Sequence, residues 1–190
     1  LNGSVHTLAF APNGDLYVGG RFTDAAYPYI CKWNGTAFSP VGVAGAIDDD
    51  VYALTFDAAG NLYVGGMFEN AGGVANADYI AKWNGSQWEA LGTGVGGTVR
   101  SIKVALNKIY VAGDFTSAGG QTLTDRVAVW SNGAWQQLDI NFPATASVYS
   151  VLRASDGSLY IGGSFTSIQA GENAKTGLVA LNLNVTSASA

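Results

Sequence analysis

The sequence predicts an all-β fold of the β-propeller type, and three observations carry that prediction. The first is a seven-residue phrase written four times: LYVGGRF from Leu16, LYVGGMF from Leu62, IYVAGDF from Ile109 and LYIGGSF from Leu159. Its tyrosines, Tyr17, Tyr63, Tyr110 and Tyr160, are spaced by 46, 47 and 50 residues, a period that marks a repeat architecture. The second is that each period holds four short apolar segments separated by turn residues, the content of one four-stranded antiparallel blade. The third is composition. Charged residues are only 12%, while glycine is frequent at 26 and the aromatics comprise 5 Trp, 9 Tyr and 8 Phe, which suits strands joined by tight turns.

Each unit opens with an apolar segment led by valine: VHTLAF from Val5, VYALTF from Val51, VRSIKV from Val99 and VYSVLR from Val148. Turn tips follow at Asn13-Gly14, Gly60-Asn61, Asn107-Lys108 and Asp156-Gly157, residues that accept the positive φ of hairpin turns. The repeated phrase is the second strand, and its glycines permit a bulge or a close backbone approach. A longer connection leads to the third strand, which ends at Trp33, Trp83, Trp130 and Leu181. Asn34-Gly35, Asn84-Gly85 and Asn132-Gly133 then turn the chain into a fourth strand carrying Phe38, Trp88 or Trp135. The recurrence of Trp33, Trp83, Trp88, Trp130 and Trp135 at strand positions predicts core residues.

A single blade cannot bury both faces, so neighbouring units must pack face to face, and the strands are accordingly apolar on both sides. The units span about 5–46, 51–94, 99–143 and 148–190 within one region, 1–190. No segment keeps a helical apolar period beyond two turns, which removes helical and α/β readings. The fourth unit lacks an aromatic near position 186. The expectation is therefore an incomplete last blade and a larger propeller whose flanking parts adjoin this region.

With 9 basic against 14 acidic residues and a net charge of -5, the chain lacks the positive field that phosphate binding needs, so nucleic acid is not an expected partner. No apolar run reaches the length of a membrane-spanning helix, so membrane insertion is not expected. A single cysteine, Cys31, excludes an internal disulfide and a multi-cysteine metal site.

A hydrophobic run ending in a diglycine, then an aromatic strand with a tryptophan, resembles the kelch repeat across all four units. Gly19-Gly20, Gly65-Gly66 and Gly162-Gly163 occupy the diglycine position, with Ala112-Gly113 in the third unit. Trp33, Trp83 and Trp130 stand where kelch units usually carry tyrosine. The pattern also resembles tandem YVGGxF…WNGxxW repeats of bacterial secreted and surface proteins. These resemblances imply that the first strand of each blade is innermost and the fourth outermost. The loops between second and third strands, and those between blades, then share one face.

On that face lie the long loops: Thr23 to Tyr29, Glu69 to Tyr79, Thr116 to Arg126 and Thr166 to Gly177. Ligand contacts are expected there, since binding residues gather on loops held by a rigid scaffold. The candidates are Asp24, Tyr27, Tyr29, Asp48, Asp49, Asp50, Glu69, Asp78, Asp125, Phe142 and Glu172. Asp48, Asp49 and Asp50 form a carboxylate run that could ligate Ca²⁺. Their spacing matches no calcium loop, and solvated loop charge is the plainer reading, so no cofactor is expected. Two of the acids could form a glycosidase-type pair, and Tyr27, Tyr29 and Phe142 could stack on sugars.

His6 is the only histidine, with Tyr52, Arg100 and Tyr149 in the equivalent places. That slot takes bulky amphipathic side chains. No hydrolase triad can be assembled around it, nor the histidine-rich copper site of an oxidase built on a kelch-like propeller. Cys31 aligns with Ala81, Ala128 and Val179, a small core slot rather than a nucleophile. Asn34-Gly35-Thr36 and Asn84-Gly85-Ser86 read as glycosylation sequons in a secreted protein, or as hairpin turns followed by a small polar residue. Function is thus expected to be non-catalytic: a scaffold or binding module of a secreted, cell-surface or virion-surface protein, with protein or glycan as ligand. The alternative is a carbohydrate-active enzyme or lectin using acidic and aromatic loop residues.

Overall fold

The computed structural model describes residues 1–69, 71–122, 126–138, 140, 142–165, 169–170, 173–174 and 177–182. The first unit is an antiparallel sheet ordered β1 (Ser4–Phe10), β2 (Leu16–Arg21), β3 (Ile30–Trp33) and β4 (Phe38–Pro40). The second follows the same order with β5 (Val51–Phe56), β6 (Leu62–Gly66), β7 (Ile80–Trp83) and β8 (Trp88–Glu89). In the third, β9 (Val99–Ala105) and β10 (Lys108–Gly113) come first. A two-stranded hairpin of β11 (Ser117–Ala118) and β12 (Gln121–Thr122) then interrupts the long loop before β13 (Val127–Ser131) and β14 (Ala134–Gln136). The fourth comprises β15 (Ser147–Arg153), β16 (Ser158–Ser164), a small hairpin of β17 (Gln169–Ala170) and β18 (Asn173–Ala174), and β19 (Leu178–Asn182). Its sheet has three strands among the described residues. The absence of an outer strand near position 186, expected from the sequence, falls on residues 183–190, outside the described ones. The described helix content is one short 3₁₀ turn, Ala71–Gly73. The fold is all-β, antiparallel and propeller-like.

The first strands β1, β5, β9 and β15 touch in succession, so each sheet packs face to face on the next. Three buried clusters fill the junctions. One holds Val51, Leu54, Leu62, Val64 and Phe68 against the first unit. The next joins Ala53, Tyr63 and Ile80 to Val99, Ile102 and Val111. The last joins Tyr110, Ala112 and Val127 to Val148, Val151 and Ile161. The phenylalanines that close the repeated phrase, Phe22, Phe68 and Phe115, are fully buried.

The diglycine has two separable causes. Opposite it, every first strand carries a β-bulge: Val5 pairs Gly20 while Thr7 pairs Gly19, and the same skip recurs at Tyr52, Arg100 and Tyr149. The residue just before each leading valine sets its carbonyl against the second glycine. A Cβ on Gly66 would stand 2.0 Å from the Asp50 backbone oxygen, and one on Gly113 2.0 Å from that of Thr98. The first glycine instead receives the leading valine of the following unit, for a Cβ on Gly65 would be 2.4 Å from Val99 Cγ1. The second constraint is backbone and the first is side chain. That is why Ala112 is admitted at the first position, while the second is glycine in all four units.

Two expectations about the aromatics need correction. Trp88 is buried, but Trp33, Trp83, Trp130 and Trp135 are half-buried. These rings pair at the outer edge, Trp83 with Trp88 and Trp130 with Trp135, both at 5.3 Å. Phe142 is not a loop-face ring. It is buried in the third junction with its centroid 5.2 Å from that of Phe165.

Candidate functional site

In each unit the long loop returns to the sheet through one residue of left-handed backbone: Tyr29 (φ 61), Tyr79 (φ 60), Arg126 (φ 46) and Gly177 (φ 69). The carbonyl of each accepts the N–H of the second glycine, all four at 3.0 Å. The amides of Tyr29 and Tyr79 donate to the carbonyls of Phe22 and Phe68 at 2.8 Å. The loops are thereby pinned at both ends. Glycine in the fourth unit is the residue such a backbone favours, and a side chain there costs on the order of 1–2 kcal/mol. Three units nonetheless place a large polar-tipped side chain at this point, and strain of this kind gathers at ligand-binding sites.

Around Tyr79 the loops enclose a cleft of about 450 Å³ lined by Asp48, Asp49, Met67, Glu69, Tyr79, Gly97 and Thr98. Its carboxylates are held in place. Asp48 Oδ1 accepts the Glu69 N–H at 2.9 Å, Asp49 Oδ1 accepts the Asp50 N–H at 2.7 Å, and Glu69 Oε1 accepts the Tyr79 hydroxyl at 3.1 Å. Desolvation first, and the Glu69 hydrogen bond second, push the Tyr79 phenol up, so the phenol stays a donor at neutral pH. Each carboxylate keeps acceptor capacity beyond the one bond named, since an ionised carboxylate has about four acceptor sites. The cleft is therefore a fixed negative surface with an aromatic wall.

Beside it runs a row built from the bulges. A bulged residue is left out of the ladder and its side chain is re-aimed, and here those residues are His6, Tyr52, Arg100 and Tyr149. Their side chains meet across the units. His6 and Tyr52 rings are 5.3 Å apart, and the Arg100 guanidinium lies 5.7 Å from the Tyr52 centroid and 5.5 Å from that of Tyr149. Arg100 is fixed by Asp114 at 2.6 Å. The Tyr52 hydroxyl lies 3.2 Å from Asp50 and 3.1 Å from the Met67 sulfur, and Met67 also lines the cleft. Burial foremost, then the Asp50 carboxylate, pushes the Tyr52 phenol up.

The structure thus brings Asp48, Asp49 and Glu69 together and separates the other candidates. Asp50 is a correction to the loop-acid expectation. Its side chain is buried, and it pairs with Arg21 Nε at 2.7 Å, tying the first unit to the second. Asp24 caps its own loop by accepting the Ala26 N–H at 3.1 Å, and Asp78 stands next to Tyr79 without lining the cleft. Tyr27 packs on Phe38 at 5.8 Å, and Tyr29 packs on the first junction. Asp125 and Glu172 lie outside the described residues. Among the described residues no three His, Cys, Asp or Glu side chains are grouped to hold a metal ion.

Tyr79 enters the sequence reading only as a loop end, and the slot of His6, Tyr52, Arg100 and Tyr149 enters it as packing more than as a pocket. The available signals were the alignment of Tyr29, Tyr79 and Arg126 with Gly177, and the bulky slot shared by His6 and its equivalents. A larger cleft of about 680 Å³ opens on the short turns instead, between Phe56–Ala59 and Val104–Asn107. Asp57 there is consumed by its own turn, accepting from Asn61 at 2.8 Å and Ala59 at 3.0 Å.

No protein-family model and no curated protein matches this chain. Solved structures do resemble it at low identity. The extracellular domain of BT4673 from B. thetaiotaomicron, described as a one-component system, aligns over 96% of this chain and 22% of that one, with 14% identity and a TM-score of 0.59. A second structure of that domain, described as a hybrid two-component system, aligns over 100% of this chain and 23% of the other, with 13% identity and a TM-score of 0.62. A protein assigned as a gluconolactonase aligns over 94% of this chain and 60% of that one, with 14% identity and a TM-score of 0.52. The chain spans less than a quarter of the BT4673 domain. At such identities the likeness is one of fold. Among the described residues no helix is long and apolar enough to cross a membrane.

Proposed function

We propose that this chain is a kelch-like propeller region acting as a non-catalytic binding module, with its long-loop face presented to a protein ligand outside the cell. The extracellular setting is suggested by the BT4673 domain alone. The observation that carries the binding reading is the cleft of Asp48, Asp49, Glu69 and Tyr79, in which fixed carboxylates flank a strained aromatic residue. A basic side chain of the partner suits it. Lysine or arginine would find acceptors for its N–H groups and a ring face for its charge. A glycan ligand is less well served, since Phe142 is buried and Tyr27 is packed on Phe38.

The test is fluorescence anisotropy with a labelled lysine- and arginine-rich peptide and its acetylated, citrulline-substituted counterpart. The basic peptide should bind more tightly. Asp48→Asn combined with Glu69→Gln should weaken it by about tenfold, equivalent to roughly 1.4 kcal/mol. Equal binding of both peptides, or no effect of the double substitution, would remove the reading. Selective capture of a neutral glycan in a parallel array would favour the lectin alternative.

A further inference from the structure

Among the four bulged residues only Arg100 carries a permanent charge, and its side chain is fixed from three directions. It falls between the paired residues Val99 and Ser101, so no sheet face claims it. Asp114 Oδ2 accepts from both Nε and Nη2, each at 2.6 Å, which occupies the side edge of the guanidinium. The rings of Tyr52 and Tyr149, from the units before and after, flank it at 5.7 and 5.5 Å. Tyr52, Arg100 and Asp114 all belong to the second and third units, which have neighbours on both sides. A guanidinium carries five N–H donors in a fixed fork. Those of the end edge, between Nη1 and Nη2, have no acceptor among the described residues, and the side chain is 35% exposed. A second carboxylate can bond there without displacing Asp114, because the two edges are separate.

The carboxylate cleft lies directly beside this fork. Gly97 and Thr98 line the cleft, and Arg100 follows Thr98 by two residues, a step of at most about 7 Å along the chain. Met67 joins the two from the other side. It lines the cleft, and its sulfur is 3.1 Å from the hydroxyl of Tyr52, the ring that flanks Arg100. One surface therefore offers fixed acceptors at Asp48, Asp49 and Glu69 and, a two-residue step away, a fixed donor fork. A ligand with one sign of charge meets only half of it.

We propose that the partner's segment is itself bipolar: an extended stretch in which a basic residue enters the carboxylate cleft and an acidic residue two positions along bonds the end edge of Arg100. This rests on the reading of the cleft as a site for a basic side chain, and adds the acid and the spacing. Alternate side chains of an extended segment point the same way and stand about 6.6 Å apart, which matches the step from Thr98 to Arg100. The fork takes a carboxylate through two parallel N–H bonds. Asp114 and the two tyrosines already hold it in place, so little freedom is lost on binding.

Fluorescence anisotropy with end-blocked, labelled peptides on one Gly/Ser frame tests this. The four inserts are Arg-Ser-Glu, Arg-Ser-Gln, Arg-Glu-Ser and citrulline-Ser-Glu. Arg-Ser-Glu should bind about fivefold more tightly than Arg-Ser-Gln, the factor a partly exposed ion pair supplies. It should also exceed Arg-Glu-Ser, which has the same composition but turns its acid to the opposite side. Arg100→Gln should erase the preference for glutamate over glutamine. Arg100→Lys, which keeps a charge for Asp114 but has no fork, should retain only part of it. Circular dichroism checks that both variants are folded. Equal affinity for Arg-Ser-Glu and Arg-Ser-Gln overturns the acid subsite and leaves the basic-residue cleft standing. Equal affinity for Arg-Ser-Glu and Arg-Glu-Ser, a comparison that needs no variant, overturns the spacing. A preference that survives Arg100→Gln removes Arg100 from the site. Citrulline-Ser-Glu bound as tightly as Arg-Ser-Glu removes the cleft reading, and this proposal with it.

Discussion

Replacing Gly66 by alanine tests the account of the diglycine most directly. The new Cβ would lie 2.0 Å from the Asp50 carbonyl oxygen and 3.0 Å from Phe68 Cδ1. That oxygen belongs to the residue just before β5 and accepts the Met67 N–H at 2.9 Å, so relief requires the chain there to move and the hydrogen bond to go. The side chain of the same Asp50 is buried against Arg21 and Tyr52, which resists the movement. Overpacking costs about 1–3 kcal/mol and a lost backbone hydrogen bond about 1 kcal/mol. The smaller unfolded-state entropy of alanine returns about 0.4–1 kcal/mol, leaving a loss of roughly 2–3 kcal/mol. Gly65→Ala is the comparison, because its Cβ meets Val99 Cγ1, the end of a side chain rather than backbone. Its cost should stay near 1 kcal/mol, the low end of the overpacking range. Urea unfolding followed by tryptophan fluorescence measures both, and with a slope of about 2 kcal/mol/M the Gly66 variant should lose roughly 1–1.5 M of midpoint. A Gly66→Ala loss equal to or below that of Gly65→Ala would refute the separation of backbone from side-chain constraint.

Two further outcomes follow from burial. Trp88→Ala should cost about 3–5 kcal/mol, and Trp83→Ala distinctly less, because Trp88 is buried while Trp83 is half-buried; the same urea titration ranks them, and the reverse order would mean the outer-edge register is wrong. Burial foremost pushes the Cys31 thiol up to about 11, with smaller opposing contributions from the chain's amino terminus and Asp24. The folded-state value lies above the unfolded one, so this contribution to stability is intact below the ordinary thiol value of 9.0 and is lost as pH rises from there toward about 11. Unfolding free energies measured from pH 8 to pH 11 should fall less steeply in Cys31→Ala than in the wild type, and identical slopes would show that the thiol is not shielded.

Much of the fold was legible because its signals are local and repeated. The period, the Asn-Gly turns and the valine-led strands specify four-stranded units without knowledge of tertiary contacts. In the Asn34 and Asn84 turns the asparagine Oδ1 accepts two following amides, at 2.9 and 3.0 Å in each case. The misread residues share a different property. Asp50 and Phe142 sit in connections between units, and there burial depends on what the adjacent sheet supplies: Arg21 for one and Phe165 for the other. Composition marks such residues as loop; only the junction decides otherwise. The half-burial of Trp83 and Trp130 was hidden in the same way, since recurrence shows that a position is structural but not how far a neighbour covers it.

The candidate site was legible in place but not in composition, and the bulge explains both. A residue that contributes neither to the ladder nor to a sheet face is released from the demands that fix its neighbours. The adjacent positions are therefore uniform, with a leading valine on one side and the diglycine opposite, while the bulged slot holds His6, Tyr52, Arg100 and Tyr149 in turn. The left-handed clamp varies for the same reason as Tyr29, Tyr79, Arg126 and Gly177, because its backbone hydrogen bonds hold the loop whatever the side chain. Variation at these two slots leaves the sheets unchanged and alters only the surface they present. The glycine opposite the bulge cannot vary with them, since a carbonyl oxygen already fills the space its side chain would need.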